Sequence, residues 1–156
     1  MILGAGAATL GAATLAPLAV APSPPMQSSG GARWVRTMKL EDLKDGERKR
    51  MPIIADLRDA WTIAKDVTLG VVWLERRGND VRCLSVTCPH LGCSVTATEN
   101  GFNCPCHDSD FGPKGERKAG PSPRDLDALQ TRITDGYIEV DYRRYRVGMS
   151  ERVEIG

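Results

Sequence analysis

The sequence predicts a mainly-β protein: a small antiparallel β-sandwich or barrel head, preceded by one transmembrane helix. Three observations carry this. No Lys, Arg, Asp or Glu occurs before Arg33, so an uncharged leader is set against a charged remainder. Beyond that boundary, apolar residues fall in short β-branched or alternating runs separated by turn residues. The chain has 156 residues, room for one ordinary domain plus an appendage. With 21 basic and 20 acidic side chains the net charge is +1, so charge gives no reason to expect nucleic acid as a partner. No internal repeat of solenoid length is present.

The first element is "MILGAGAATLGAATLAPLAVA", residues 1–21. As a helix it would be about 30 Å long, the thickness of a bilayer's hydrocarbon core. Its Gly and Ala residues suit close helix packing in a membrane, and Pro17 is tolerated there. A cleavable export signal is the competing reading, because Ala19-Val20-Ala21 resembles a small-residue cleavage site. Pro22 directly after it argues against cleavage, and no basic residue precedes the apolar run. A buried soluble helix is a third, weaker reading. Residues 22–32, "PSPPMQSSGGA", read as a flexible hinge linker, stiff at Pro24-Pro25 and loose at Gly30-Gly31.

The head spans residues 33–156. Residues 70–76 and 81–86 read as a hairpin around the turn at 77–80. Residues 94–98 and 102–106 flank Asn100-Gly101, a hairpin signal, and 129–134 and 137–142 flank Asp135-Gly136, another. The charged stretch 40–51 reads as a short helix or a loop.

Chemistry concentrates in two loops. "CPHLGC" (residues 88–93) and "CPCHDS" (104–109) hold four of the five cysteines and both histidines. Cys88-x-His90 and Cys104-x-x-His107 each offer one thiolate and one imidazole. A Cys₂His₂ set fits either a structural zinc or a [2Fe–2S] cluster with two His on one iron. Zinc fits the spacing less well, because its ligands usually come as C-x₂₋₄-C and H-x₃₋₅-H pairs. Cys83 lies in the alternating run before the first loop and reads as a small buried hydrophobe.

The two loops together resemble the paired motif of Rieske iron–sulfur proteins. The additional Cys93 and Cys106 resemble the high-potential, disulfide-containing type found in quinol–cytochrome c reductases. Gly120-Pro121-Ser122-Pro123 is similar to the proline loop that covers the cluster in that type. The resemblance implies one [2Fe–2S] cluster, with Cys88 and Cys104 on the inner iron and His90 and His107 on the outer. It implies a Cys93–Cys106 disulfide, which would staple loop to loop. It implies that Leu91 shields the cluster, that Ser109 donates a hydrogen bond to a cluster sulfur, and that His107 is the catalytic residue that meets quinol. The partners implied are a cytochrome b subunit, a c-type cytochrome acceptor and the membrane. The implied place is a bacterial-type cytoplasmic membrane, with the head on its periplasmic side.

Two residues depart from that pattern. High-potential members carry Gly after the second His and Tyr four residues after it. Here those positions hold Asp108 and Phe111. Phe cannot donate a hydrogen bond to sulfur, and Asp108 adds negative charge near a cluster that becomes more negative on reduction. Both lower the expected potential towards the bottom of the Rieske range of about −150 to +300 mV. That points to menaquinol as the donor. The alternative is the small Rieske subunit of a periplasmic molybdenum oxidase such as arsenite oxidase. A zinc-binding interaction module is a third, remote reading.

Overall fold

In the computed structural model, Met1 and residues 34–58 and 61–155 are described. The expected membrane helix at 1–21 and hinge at 22–32 lie outside the described residues. Among the described residues, no helix is long and apolar enough to cross a membrane.

The head opens with β1 (Trp34–Lys39), then β2 (Arg48–Arg58), β3 (Ile63–Arg77) and β4 (Asp80–Ser85). Short strands β5 (Thr96–Thr98), β6 (Gly101–Cys104), β7 (Ser109–Phe111) and β8 (Arg117–Ala119) follow. The chain then returns through β9 (Ala128–Thr134) and β10 (Tyr137–Asp141), and ends with β11 (Arg144–Tyr145) and β12 (Glu154–Ile155). A six-stranded sheet runs in the order β1-β10-β9-β4-β3-β2, and its two edge strands come back into contact. This nearly closed antiparallel barrel is the base. A four-stranded meander, β5-β6-β7-β8, carries the second Cys/His loop and packs on one face of the base. The strands β11 and β12 pair with each other.

The expected hairpins at 70–86 and 129–142 are present as β3–β4 and β9–β10. Asp135 and Gly136 both have positive φ (51° and 78°), as a two-residue turn between right-twisting strands requires. The stretch 40–51 differs from expectation. Only Leu40–Asp42 forms a helical turn, and β2 begins at Arg48. The charges in "RKRMP" hide the strand because β2 is an edge, where outward side chains stay polar. Pro52 fits there for the same reason: an edge strand has one side that needs no N–H.

Alternation along β3 and β4 builds two cores. Val72, Leu74, Val81 and Cys83 point into the barrel with Ile53, Ile138 and Val140. Leu84 points the other way, against Val95, Phe102, Phe111 and Leu126, and Trp73 packs on that second cluster. Each fully buried aliphatic side chain contributes about 1.5–3 kcal/mol. The Trp73 indole N–H also donates to the Val95 carbonyl (3.3 Å). Cys83 is, as expected, a buried hydrophobe, and burial pushes its thiol pKa up.

Glu75 is the polar tie between the layers. It is buried, and its carboxylate accepts from Arg48 (3.3 Å), Arg77 (3.0 Å) and Arg82 (3.0 Å). Arg48 also donates to the Thr98 and Gly101 carbonyls at the β5–β6 turn, and Arg82 to the Pro113 carbonyl beyond β7. Glu75→Gln should therefore lower the unfolding free energy by about 2 kcal/mol. That is below the cost of breaking a fully buried pair, because the arginines are partly hydrated. Denaturant unfolding followed by far-UV circular dichroism measures it; an unchanged midpoint would remove Glu75 from this role.

Candidate metal centre

Each Cys/His loop is closed at its base by the backbone. In the first, Cys88 N–H donates to Cys93 O (2.8 Å) and Gly92 N–H to Cys88 O (3.0 Å). A bridge between Thr87 and Ser94 lies just below. In the second, β6 and β7 pair as far as Cys104 and Ser109, leaving residues 105–108 as an exposed four-residue tip. The same plan recurs: a fully buried cysteine at the base, and a histidine further out. Cys88 and Cys104 are 0% and 1% exposed, His90 is half-buried, and His107 is exposed.

The two tips meet. Cys93 and Cys106 form a disulfide with Cα atoms 6.5 Å apart, and the His90 and His107 rings lie 4.8 Å apart, nearly perpendicular. The sulfurs of Cys93, Cys104 and Cys106 all lie within 4.8 Å of one another. Oxidation to the disulfide leaves Cys93 and Cys106 without thiolates to offer, so the soft donors here are Cys88 and Cys104. Burial pushes the Cys88 thiol above its ordinary pKa. The His90 backbone N–H pulls it down, the neighbouring Cys104 thiol raises it, and the Ser109 hydroxyl lowers it. A metal bound here would take the place of the Cys88 proton that burial favours.

One atom marks the ligand side. The His90 Nδ1 is buried and has no hydrogen-bond partner. Buried polar atoms in folded proteins are nearly always paired, and an orphaned imidazole nitrogen suits a metal bond. Two thiols and two imidazoles brought together from two loops fit a [2Fe–2S] cluster with mixed ligation.

Other predicted residues are placed as follows. Ser109 is buried, and its oxygen accepts from the Ser122 N–H (3.1 Å), which leaves its proton free to turn towards Cys88. The Gly120–Pro123 segment lies against the second loop. Gly120 has φ +84°, and a Cβ there would collide with the Asp108 carbonyl and the Ser109 Cα. Leu91 stands 62% exposed on the first loop. Phe111 is buried in the same cluster as Cys88 and Cys104. Asp108 has φ +51°, a conformation that glycine adopts freely and Asp tolerates, which explains why a glycine would serve at this position.

The sequence reading missed a strap from the C-terminus. Gly148 N–H donates to the Pro89 carbonyl (2.7 Å), beside His90. Arg124 makes a buried two-point pair with Asp127 (3.1 and 2.9 Å) and also donates to the Met149 carbonyl. Arg152 reaches Asp127 (3.3 Å) and the Ala128 carbonyl (2.8 Å). Nothing local in "RRYRVGMSERVEIG" announces this, because each contact is with a residue at least 20 positions away. Only the closely spaced Arg124 and Asp127 hinted at a pair.

Comparison with known proteins agrees with this geometry. The family described as the Rieske [2Fe-2S] domain matches residues 33–131, well over half of the chain. The menaquinol:cytochrome c reductase iron–sulfur subunit of Bacillus subtilis (strain 168) is 27% identical over 121 residues, which are 74% of this chain and 71% of that protein. The chloroplastic cytochrome b6-f complex iron–sulfur subunit of Triticum aestivum is 37% identical over 68 residues, 38% of this chain. The match spans 31% of that plant protein's own length. Among solved structures, the plasma membrane Rieske protein PetC3 of Synechocystis PCC 6803 is 27% identical, with a TM-score of 0.48, over 68% of this chain and 97% of that one. The paired loops, the disulfide between them and the matched domain lead to one conclusion: the chain belongs to the Rieske family and carries a [2Fe–2S] cluster.

Proposed function

We propose that the chain is the iron–sulfur subunit of a membrane-bound quinol–cytochrome c reductase, oxidising menaquinol and passing electrons to a c-type cytochrome. The observation that carries this is the exposed His107 imidazole, held by the disulfide against the half-buried His90 at the protein surface. A pure structural metal site has no need of a ligand open to solvent. The relatives named as menaquinol:cytochrome c reductase and cytochrome b6-f subunits favour this reading over a molybdenum-oxidase subunit.

In this reading Cys88, Cys104, His90 and His107 hold the cluster, His90 through Nδ1. The bound cluster supplies a one-electron acceptor whose reduction makes its histidines more basic. The His107 Nε2 accepts a hydrogen bond from the quinol hydroxyl, in a docking site on a cytochrome b subunit, and takes the proton. Ser109 donates to a ligand sulfur, and its hydroxyl is aligned for this by the Ser122 N–H. Leu91 keeps water from the edge of the site. Residues 1–21 anchor the chain in the cytoplasmic membrane, with the head on the outer side. Residues 22–32 let the head move between quinol and acceptor while keeping it at high local concentration near both.

The reading is tested with detergent-solubilised membranes. The native chain should co-purify with a cytochrome b and reduce cytochrome c at the expense of quinol. His107→Ala should lose both that activity and the EPR signal of the reduced mixed-ligand cluster, as should Cys88→Ser, His90→Ala and Cys104→Ser. A full signal in any of the four removes that residue from the ligand set.

Alkaline carbonate should leave the native chain in the membrane pellet and release a chain that begins near Gly31. A mature N-terminus at Pro22 would replace the anchor with a cleaved signal.

Phe111→Tyr should raise the midpoint potential. A hydrogen bond to a charged acceptor is worth about 1.5–3 kcal/mol. With a one-electron equivalence of roughly 59 mV per tenfold change, a fully differential bond gives on the order of 60–130 mV. Only part of the bond energy is differential, so the low end is expected. Burial of the position in the same core cluster as Cys88 and Cys104 supports the expected rise. A redox titration monitored by EPR decides; an unchanged or lower midpoint would mean the hydroxyl does not reach sulfur, and would take away the main argument for menaquinol.

A further inference from the structure

The strands β2 and β3 run well past the sheet that they belong to. Pairing of β3 with β4 stops at Val72–Ser85, yet β2 and β3 continue to pair as far as Arg58–Ile63. Ile53 is the last buried residue on β2, and none of residues 54–58 and 61–69 is buried. From the Ile53–Gly70 pair to the Arg58–Ile63 pair the two strands reach about 17 Å at the usual rise per residue. They form a two-stranded arm with no core of its own. It nevertheless displays Ile54 (43% exposed), Leu57 (38%), Trp61 (93%) and Ile63 (50%). Elsewhere on the head, exposed large apolar residues are few. Apolar residues this exposed, gathered on one projection, mark a contact surface.

Strand register fixes which end of the head the arm leaves. Trp34 pairs with Asp141, Asp141 with Gln130, and the neighbouring Leu129 with Cys83. The start of β1, the end of β4 and the Val72 level of β3 therefore share one end of the sheet. The first Cys/His loop springs from the end of β4, and the chain enters the head at Trp34. Arm, metal-site loops and point of entry lie at the same end.

We propose that the arm is a membrane-interface contact: Trp61, with Leu57 and Ile63, seats in the headgroup region of the bilayer when the cluster end of the head faces the membrane. This rests on the reading of residues 1–21 as a membrane anchor. Residues 22–33 then tether the head to the bilayer. Fully extended they span at most about 40 Å, and as a flexible coil about 20 Å. The arm's length is of that order, so its tip is within reach of the surface. Trp is a side chain that favours the membrane–water interface, where its ring is apolar and its N–H stays wet. Exposed Arg58 and Lys65 on the arm can extend their stems along apolar surface and meet lipid phosphates. The exposed acids Asp56, which accepts the Asp66 backbone N–H (3.0 Å), and Asp66 itself balance these two cations, so the contact rests on the Trp and aliphatic side chains and not on net charge. A second copy of the chain is the poorer occupant. The register of β2 shifts between Ile53 and Ile54 and again between Ala55 and Leu57, and such irregularities oppose edge-to-edge strand pairing.

The test uses the full chain with its cluster, reconstituted in phosphatidylcholine vesicles with and without shallowly brominated phosphatidylcholine. Brominated lipid should quench a component of tryptophan emission that is missing in Trp61→Phe. Trp34 and Trp73 remain in both proteins and cancel in the difference. The EPR spectrum and the midpoint should be the same in Trp61→Phe as in the native chain. Equal bromolipid quenching in the two proteins, with both fully membrane-bound, overturns the proposal. So does shielding of Trp61 that appears only when the membrane subunits of the complex are added, which would make the contact a protein one. Carbonate extraction reads the anchor separately. If the chain washes off, the anchor reading has failed, and the same comparison with added vesicles still decides the arm: Trp61 quenching upholds it, and its absence refutes it.

Discussion

Two-residue alternation along β3 and β4 governs how this head is assembled. Val72, Leu74 and Cys83 fill the barrel, while Trp73 and Leu84 face the meander that carries the second Cys/His loop. One pair of strands thus belongs to two cores. A slip of one residue would exchange every member of the two sets. Glu75 fixes the same register in polar terms, since two of its three arginines, Arg48 and Arg82, also hold turns of the meander. The distance and angle between the two metal-site loops follow from this layering, because one loop leaves β4 and the other is held between β6 and β7.

On that base the site is tied from three directions. The disulfide joins the tips, the Gly120–Pro123 loop lies on the second loop, and the C-terminal strap holds Pro89. The buried thiols lie in the apolar layer with Phe102 and Phe111, where burial favours the neutral form of Cys88. The imidazoles lie further out. Burial thus separates two roles, with low-dielectric cysteines setting the charge of the site and more accessible histidines meeting the outside. The unpartnered His90 Nδ1 is itself buried, although the ring belongs to the more accessible pair.

The departures from the high-potential pattern fall at two physically distinct places. Asp108 is exposed on the tip, where its left-handed backbone needs a residue that tolerates positive φ. Its charge acts through a partly aqueous path. Phe111 is buried in the core cluster that also holds Cys88 and Cys104. A polar group introduced at the buried position would act more strongly on its surroundings than one at the exposed tip, because low dielectric magnifies it.

What the sequence by itself determined was local. Loop motifs, the Asp135-Gly136 turn and the alternating runs of β4, β9 and β10 are encoded within a few residues, so they could be read directly. The pairing of Cys93 with Cys106 was legible through family likeness, because spacing alone does not say which cysteines meet. Tertiary structure decided the rest. The strand β2 was hidden because an edge strand carries charges that mask its alternation. Likeness suggested where the Gly120–Pro123 loop belongs, but only the fold shows why residue 120 must be glycine, with the Asp108 carbonyl and the Ser109 Cα pressed against it. The contacts of the C-terminal strap act across 20 or more positions, and no short window contains both partners. The apolar arm was invisible for the opposite reason: nothing local in Ile54, Leu57, Trp61 and Ile63 tells a core position from an exposed one, and only the point at which β4 stops pairing leaves them exposed.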